Sequence, residues 1–309
     1  MRKLRLALLS GGKSSEREVS LKSGGQVFEA LDKAKYDIYR YDPQTDLRQL
    51  INDAPNLDVA LIIMHGRWGE DGTIQGLLDL LGLPYQGSGV MASALAMNKE
   101  LSKTLYRQAG LKVPRAVFFS RQDAIDPRAL EAAVGLPAVI KPVNEGSSIG
   151  VTVARHLDQL GAGIGEALAY DRRVLVEEFI SGMEVTAGVL GNDALLPLPL
   201  VEIVPDKSHP FFNYEAKYLP GATEEIVPAR LSPEMTIRVQ ECGLTAHRAL
   251  GCWGYSRTDT IVRDGEIYVL ETNTIPGMTA TSLFPQAARA MGLDFPALLD
   301  RLVELALEK

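Results

Sequence analysis

"LLSGGKSSEREVS", residues 8–20, follows the apolar run "LRLALLS" and contains Gly12-Lys13-Ser14. A P-loop, G-x-x-x-x-G-K-[ST], needs glycine at position 7, and Ala7 stands there, so this stretch is no P-loop. A second glycine pattern, Gly87-Ser-Gly89-Val-Met-Ala92, follows only "LPYQ" and has no acidic residue about 20 positions on, so it is no dinucleotide fingerprint either. What residues 8–20 do mark is a strand-to-helix turn. "LRLALLS" (4–10), "YDIYRY" (36–41) and "VALIIM" (59–64) have the character of strands, and "EVSLKSGGQVFEAL" and "TDLRQLIND" between them have helical patterns. This βαβαβ order implies a parallel sheet with ligands gathered after the carboxyl ends of its strands, where "SGGKSSERE" and "HGRWGEDG" both lie.

Within the first of these loops Ser15-x-x-Glu18 fits a capping box, which would make Glu18 structural. Glu16 has no such role. Its pattern leaves open a solvated acid favoured by the helix dipole and a functional group.

Outward from this unit the chain offers more. Its 309 residues exceed one ordinary domain, and 46% hydrophobic with 23% charged residues is globular composition. A formal charge of −7 argues against a general nucleic-acid or anionic-membrane surface. Two cysteines, Cys242 and Cys252, lack a zinc or disulfide pattern. The N-terminal apolar run is too short for a secretory segment and no run reaches membrane-spanning length, so a cytoplasmic protein is expected.

Three units are expected: 1–87, an α/β substrate-binding domain; 88–180, a central domain with one long helix from Val90 through Gln108; and 181–309, an α+β domain with a helix from Pro233 to Leu250. "PDKSHPFFNYEAKYLP", residues 205–220, is polar and proline-bounded, the character of a lid loop.

The chemistry concentrates in two places. "VIKPVNEGSSIGV" (139–151) is a strand ending in Lys141, a loop of small residues and a second strand; backbone amides of such a hairpin can cover phosphate oxygens. "SRTDTIV" and "YVLETNTIPGMT" place Asp259, Glu271 and Asn273 on two segments expected to pair, Glu271 and Asn273 on one face. These are oxygen ligands suited to Mg²⁺. Two carboxylates roughly 4 Å apart would repel by about 4 kcal/mol at an effective dielectric of 20, so a cation or a nearby arginine such as Arg257 is expected between them.

"GGKSSEREVSLKSG", "HGRWGEDGTIQG", "KPVNEGSSIGV", "VEEFISGMEVT", "YEAKYLPGAT" and "ETNTIPGMTATS" occur in the order found in D-alanine–D-alanine ligases, and the chain resembles that family of the ATP-grasp superfamily over essentially its full length. The resemblance implies a three-domain ATP-grasp fold and ATP-dependent formation of D-alanyl-D-alanine through an acyl phosphate, for peptidoglycan precursors. A related ATP-grasp ligase with another amino-acid or hydroxy-acid pair is the alternative. A non-catalytic binding protein would be expected to have lost some of Lys141, Arg257, Asp259, Glu271 and Asn273, and all are present.

By resemblance Lys99 and Lys141 contact ATP phosphates, the loop Gly146-Ser147-Ser148-Ile149-Gly150 covers them, and Glu177, Phe179, Ile180 and Glu184 hold adenosine. Asp259, Glu271 and Asn273 would carry Mg²⁺ or Mn²⁺, two ions, with a monovalent cation as an optional activator. Glu16 would bind the ammonium of the first D-alanine, linked to Ser148 and Tyr218, with His65 beside that substrate. Arg257 and the Gly277 amide would stabilise an oxyanion, and Lys217 and Ser282 would hold the second carboxylate. Glu70 and Asp71 are expected to organise their loop. Tyr218 within "EAKY" resembles dipeptide-forming members rather than depsipeptide-forming ones. The family also implies a homodimer.

Overall fold

The computed structural model describes residues 2–205 and 223–308. Strands β1 (Leu4–Leu9), β2 (Tyr36–Tyr41) and β3 (Val59–Ile62) form a parallel sheet in the order β2-β1-β3, joined by helices α1 (Arg17–Ala30) and α2 (Leu47–Asp53), with α3 (Thr73–Leu80) following. Leu6 through Leu9 are fully buried, and alternate residues enter different cores: Leu6 and Leu8 one, Ala7 and Leu9 another. Burial on both faces is why β1 lacks polar alternation.

The loop after β1 differs from its pattern. Helix α1 begins at Arg17 with Glu16 at the N-cap position and no side-chain cap bond, so the expected Ser15–Glu18 capping box is not formed. Serines on either side do the work instead. The Ser14 hydroxyl donates to the His65 carbonyl at 2.6 Å and accepts from the Glu16 amide at 3.2 Å. Ser20 Oγ donates to the Ile63 carbonyl at 2.6 Å and accepts from the Gly11 amide at 2.7 Å. The loops after β1 and β3 are thereby bound to each other, and the Glu16 carboxylate is spared from capping.

The helix expected from Val90 through Gln108 is two helices, α4 (Val90–Met97) and α5 (Lys99–Gln108). Asn98 breaks it with ψ of 100°, and its side chain accepts from the Leu101 amide at 3.0 Å. Asparagine favours such a cap over a helix interior, and apolar periodicity alone does not register the interruption. The break puts Lys99 at the start of a helix.

A second sheet, all antiparallel, has the order β4 (Ala116–Ser120), β7 (Arg173–Glu178), β5 (Ala138–Pro142), β6 (Thr152–Ala154). Helices α6 (Pro127–Val134) and α7 (Leu157–Tyr170) pack on it. The third sheet runs β11 (Thr223–Ile226), β10 (Val201–Pro205), β8 (Met183–Leu190), β12 (Tyr255–Arg263), β13 (Glu266–Asn273), with β9 (Leu196–Pro197) beside β8. Helix α8 (Pro233–Leu250) packs on this sheet. The β12–β13 turn is Asp264-Gly265, with φ of 52° and 78°, the paired positive values of a type I′ hairpin turn.

Helix α9 (Leu283–Ala290) packs on β8, and α10 (Phe295–Leu307) returns to the first sheet against β3. Leu298, Leu302 and Val303 share a core with Leu6, Leu8 and Val59, and Tyr255 and Phe284 join it through an edge-to-face ring contact at 5.4 Å.

Backbone approaches closely at both ends of β8, at Gly182 and at Gly191. A Cβ at Gly182 would lie 2.4 Å from the Val262 carbonyl oxygen and 2.7 Å from Ile261 Cγ2. Backbone cannot yield there without parting β8 from β12, so Gly182→Ala is expected to cost about 1–3 kcal/mol, read as a lowered denaturant midpoint at unchanged slope.

Candidate active site

The three sheets converge on two adjoining cavities. The larger, about 460 Å³, is lined among the described residues by Glu16, His65, Glu70, Ser147, Arg257, Asn273, Gly277 and Ser282. The smaller, about 110 Å³, is lined by Lys141, Ser148, Glu177, Phe179, Ile180, Glu184 and Asp259. Lys99, Glu145, Gly146 and Glu271 border both. All the described candidate residues therefore reach one or both cavities. Lys217 and Tyr218, and the 205–220 loop that carries them, lie almost wholly outside the described residues.

The floor between the cavities is the β12–β13 pair. Its register sets Arg257 opposite Asn273 and Asp259 opposite Glu271, so period-two geometry gathers all four on one face. Arg257 binds Asp259 through two hydrogen bonds, 2.7 and 2.8 Å. Burial would lower the guanidinium's pKa, but Asp259 outweighs burial and raises it. The expected counter-charge is thus present. The other face is a buried layer of hydroxyls: Ser256 meets His247 Nδ1 at 2.7 Å, Thr258 meets Thr272 at 3.0 Å, and Tyr106 donates to Thr272 at 2.8 Å. These bonds leave the two strands little freedom to slip.

Glu271 also faces Lys99, at 3.3 Å, and Lys99 donates to the Glu145 carbonyl at 2.6 Å. Two carboxylates and an amide oxygen on adjacent strands suit a hard divalent cation, so the donor set fits Mg²⁺. No group of three His, Cys, Asp or Glu side chains placed to hold a metal ion occurs among the described residues, so the set rests on two carboxylates and the Asn273 amide.

The β5–β6 hairpin loop turns on Ser147 and Ser148, with φ of 47° and 60°, closed by the Ile149 amide on the Gly146 carbonyl at 3.0 Å. Two non-glycine residues in the left-handed region store backbone strain, a cost met where surrounding contacts fix the conformation. One such contact is the Ser147 hydroxyl, which donates to Glu16 Oε1. Ser148 lies on the smaller-cavity side. Glycine is required opposite: a Cβ at Gly66, φ 69°, would lie 2.7 Å from Glu16 Oε2.

Glu16, His65 and Glu70 are buried together in the larger cavity. Asp71 accepts from the Trp68 and Thr73 amides at 2.9 and 3.0 Å, and Glu70 accepts from the Gly66 amide at 2.5 Å, so both organise their loop. Glu70 does more, since it also walls the cavity. Burial and the neighbouring Glu16 raise its carboxyl well above the usual range. Burial, assisted by Arg257, lowers His65 to about 4, so its ring is neutral at pH 7. His65 Nε2 is buried with no hydrogen-bond partner among the described residues. Ser282 stands at the N-terminus of α9, where free amides and the helix dipole favour a carboxylate.

In the smaller cavity Glu177 receives two lysines. Lys141 Nζ lies 2.6 Å from Oε1 and Lys103 Nζ 2.8 Å from Oε2. Burial pushes the Glu177 carboxyl up, and the two ammoniums overcome it, bringing it to about 2. Sequence reasoning missed Lys103. The only available signal was its position one turn after Lys99, and a charge at that spacing normally belongs to a solvated helix face.

Two buried histidines give the fold a pH dependence. His65 and His247 are both lowered to about 4 by burial, against about 6.5 in an unfolded chain. The unfolded state therefore binds more protons below pH 6.5, and stability is lost as pH falls from 6.5 toward 4. His247→Asn is expected to flatten that slope in denaturation curves measured between pH 4 and 7.

Two family descriptions match the chain, "D-ala D-ala ligase N-terminus" over residues 40–88 and "D-ala D-ala ligase C-terminus" over residues 105–304. A D-alanine–D-alanine ligase of Syntrophobacter fumaroxidans is 60% identical over 306 residues, 99% of this chain and 98% of the relative. The solved D-alanine–D-alanine ligase of Bacillus anthracis complexed with ATP superposes with a TM-score of 0.87 at 34% identity, over 99% of this chain and 98% of that one. A D-Ala:D-Ser ligase, VanG, of Enterococcus faecalis superposes with a TM-score of 0.84 at 34% identity, over 99% and 100% of the two chains. By sequence, by fold and by the matched length of both, the chain belongs to the D-alanine–D-alanine ligase family of the ATP-grasp superfamily.

Proposed function

We propose that the chain joins two D-alanine molecules into D-alanyl-D-alanine, a peptidoglycan precursor, converting ATP to ADP and phosphate. The observation that carries this reading is the wall shared by the two cavities, Lys99, Glu145, Gly146 and Glu271. A carboxylate in the larger cavity and a triphosphate in the smaller one would meet there.

Adenosine lies against Glu177, Phe179, Ile180 and Glu184, with Lys99 and Lys141 as point charges on the phosphates. The Gly146–Gly150 loop covers them, Ser147 included. The first D-alanine presents its ammonium to Glu16 beside His65, Ser148 and Tyr218. Its carboxylate oxygen attacks the γ-phosphorus and ADP leaves. Asp259, Glu271 and Asn273 would hold Mg²⁺, which supplies charge neutralisation for the phosphate oxygens.

The second D-alanine places its carboxylate at Ser282 and Lys217. Its amine attacks the acyl carbon and sheds a proton; the tetrahedral oxyanion is met by Arg257 and the Gly277 amide, and inorganic phosphate departs as the carbonyl reforms. Neutral His65 serves here as a hydrogen-bonding group rather than a cation. Two buried free cysteines and the use of ATP fit the cytoplasm. No helix among the described residues is long and apolar enough to cross a membrane.

A dimer is supported by apolar side chains on α3 and the adjoining α4: Leu80 is 88% exposed and Met91 69%. Leu80→Glu is expected to shift the solution mass measured by light scattering to that of one chain; an unchanged mass places the interface elsewhere.

The function itself is tested by phosphate release with ATP, Mg²⁺ and D-alanine, L-alanine, or D-alanine with D-serine or D-lactate, with products identified by mass. Release that requires D-alanine alone, yielding the dipeptide, is expected. Preferential product with D-serine or D-lactate would reassign the second substrate, and absence of release with every pair would remove the ligase reading.

A further inference from the structure

The reaction as derived employs Lys141 and gives Lys103 no part. Lys103 is 1% exposed, yet it points at a buried carboxylate rather than at solvent. Its Nζ also donates to the Leu270 carbonyl at 3.2 Å, which ties it to β13. Glu177 is likewise 1% exposed. Lys141 is different: its side chain is 17% exposed and lines the smaller cavity, which Lys103 does not. One carboxylate thus has on one oxygen a buried cation at ion-pair distance, without hydrogen-bond alignment, and on the other a cation able to reach ligand.

That asymmetry has an energetic meaning. When Lys141 turns to a phosphate, Glu177 loses a contact of 2.6 Å. Without Lys103, that departure would leave Glu177 a buried, uncompensated charge, a penalty ATP binding would have to meet. A carboxylate without counter-charge would also take up a proton. A protonated Glu177 could donate, and the amino edge of adenine needs an acceptor.

We propose that Lys103 is a positioning residue for nucleotide selection: it remains as the counter-charge of Glu177 when Lys141 leaves for phosphate, keeping Glu177 an acceptor for the adenine amino group. This rests on the assignment of the smaller cavity to ATP. Lys103 therefore acts on affinity for ATP and on preference for ATP over GTP, whose corresponding edge is a carbonyl. It leaves the D-alanine side untouched.

The test compares the full chain with Lys103→Met, Lys103→Arg, Glu177→Gln and the double variant Lys103→Met/Glu177→Gln. ATP and GTP affinities are measured by calorimetry with Mg²⁺, and KM is measured separately for ATP and D-alanine. Lys103→Met is expected to weaken ATP binding by about tenfold or more, narrow the ATP-to-GTP ratio and leave KM for D-alanine unchanged. Lys103→Arg is expected to keep both affinity and ratio. In the Glu177→Gln background the Lys103→Met loss is expected to shrink, because no anion remains to be compensated.

Wild-type ATP affinity and ATP-to-GTP ratio in Lys103→Met would overturn the proposal. So would a loss of equal size in both Glu177 backgrounds, or a parallel rise of both KM values. Should Lys103→Met not fold, Lys103→Arg and the double variant decide: loss of affinity and ratio in the arginine variant, or a double variant that binds ATP about tenfold or more weakly than Glu177→Gln alone, overturns the idea. A wild-type chain that binds no ATP would instead remove the nucleotide assignment itself.

Discussion

The register between Tyr255–Arg263 and Glu266–Asn273 is the constraint on which the candidate site depends. A slip of one residue would carry Arg257, Asp259, Glu271 and Asn273 to the helix-covered face and bring threonines to the cavities. Two devices oppose that slip. At one end Asp264-Gly265 makes a turn whose twist matches the strands, and along the back the hydroxyls of Ser256, Thr258, Thr272 and Tyr106 pair with partners that a shifted register would not meet. Orientation of charge on the front is thus secured by neutral bonds behind it. The pattern is economical in a physical sense, because charged front-side groups can change partners without loosening the strands that carry them.

Electrostatics divides the two cavities. In the larger, Glu16 and Glu70 are buried together, and burial and Glu16 drive Glu70 toward the protonated form. In the smaller, lysines converge on Glu177 and hold it ionised against burial. An ammonium is attracted to the first environment and a polyphosphate to the second. The shared wall of Lys99 and Glu271 sets the two signs against each other at 3.3 Å.

Much of this was legible in the sequence, and the exceptions have physical causes. Helix 233–250 has the bounds that periodicity predicts, because its apolar face is continuous and Ser232 and Gly251 stand at its ends. Asn98 and the Ser14–Ser20 segment escaped periodicity, since their conformations follow from side-chain bonds to backbone, and Ser14 and Ser20 find those partners on a distant loop. Six motifs in order carried the resemblance that pointed to the site residues, including Lys99, Arg257 and Asp259, which lie outside the motifs; Lys103 was not among them. Its burial arises only when α5, β7 and β13 close on it, a tertiary event that no local pattern encodes. The same holds for the Ser147 hydroxyl on Glu16, which the turn at the loop tip places there.

The packing of Phe295–Leu307 against the first sheet also has a consequence in time. A ribosome delivers Leu6, Leu8 and Val59 long before Leu298, Leu302 and Val303, the residues with which they share a core. Until then α1, through Val27 and its C-cap Leu31, covers that face of the N-terminal sheet only in part, which leaves apolar surface open to chaperones and to neighbouring nascent chains. Completion of the first sheet, and with it the fixed placement of Glu16 and His65, must wait until residue 303 has emerged. The chain is therefore built so that its substrate side is finished last, although its strands are made first.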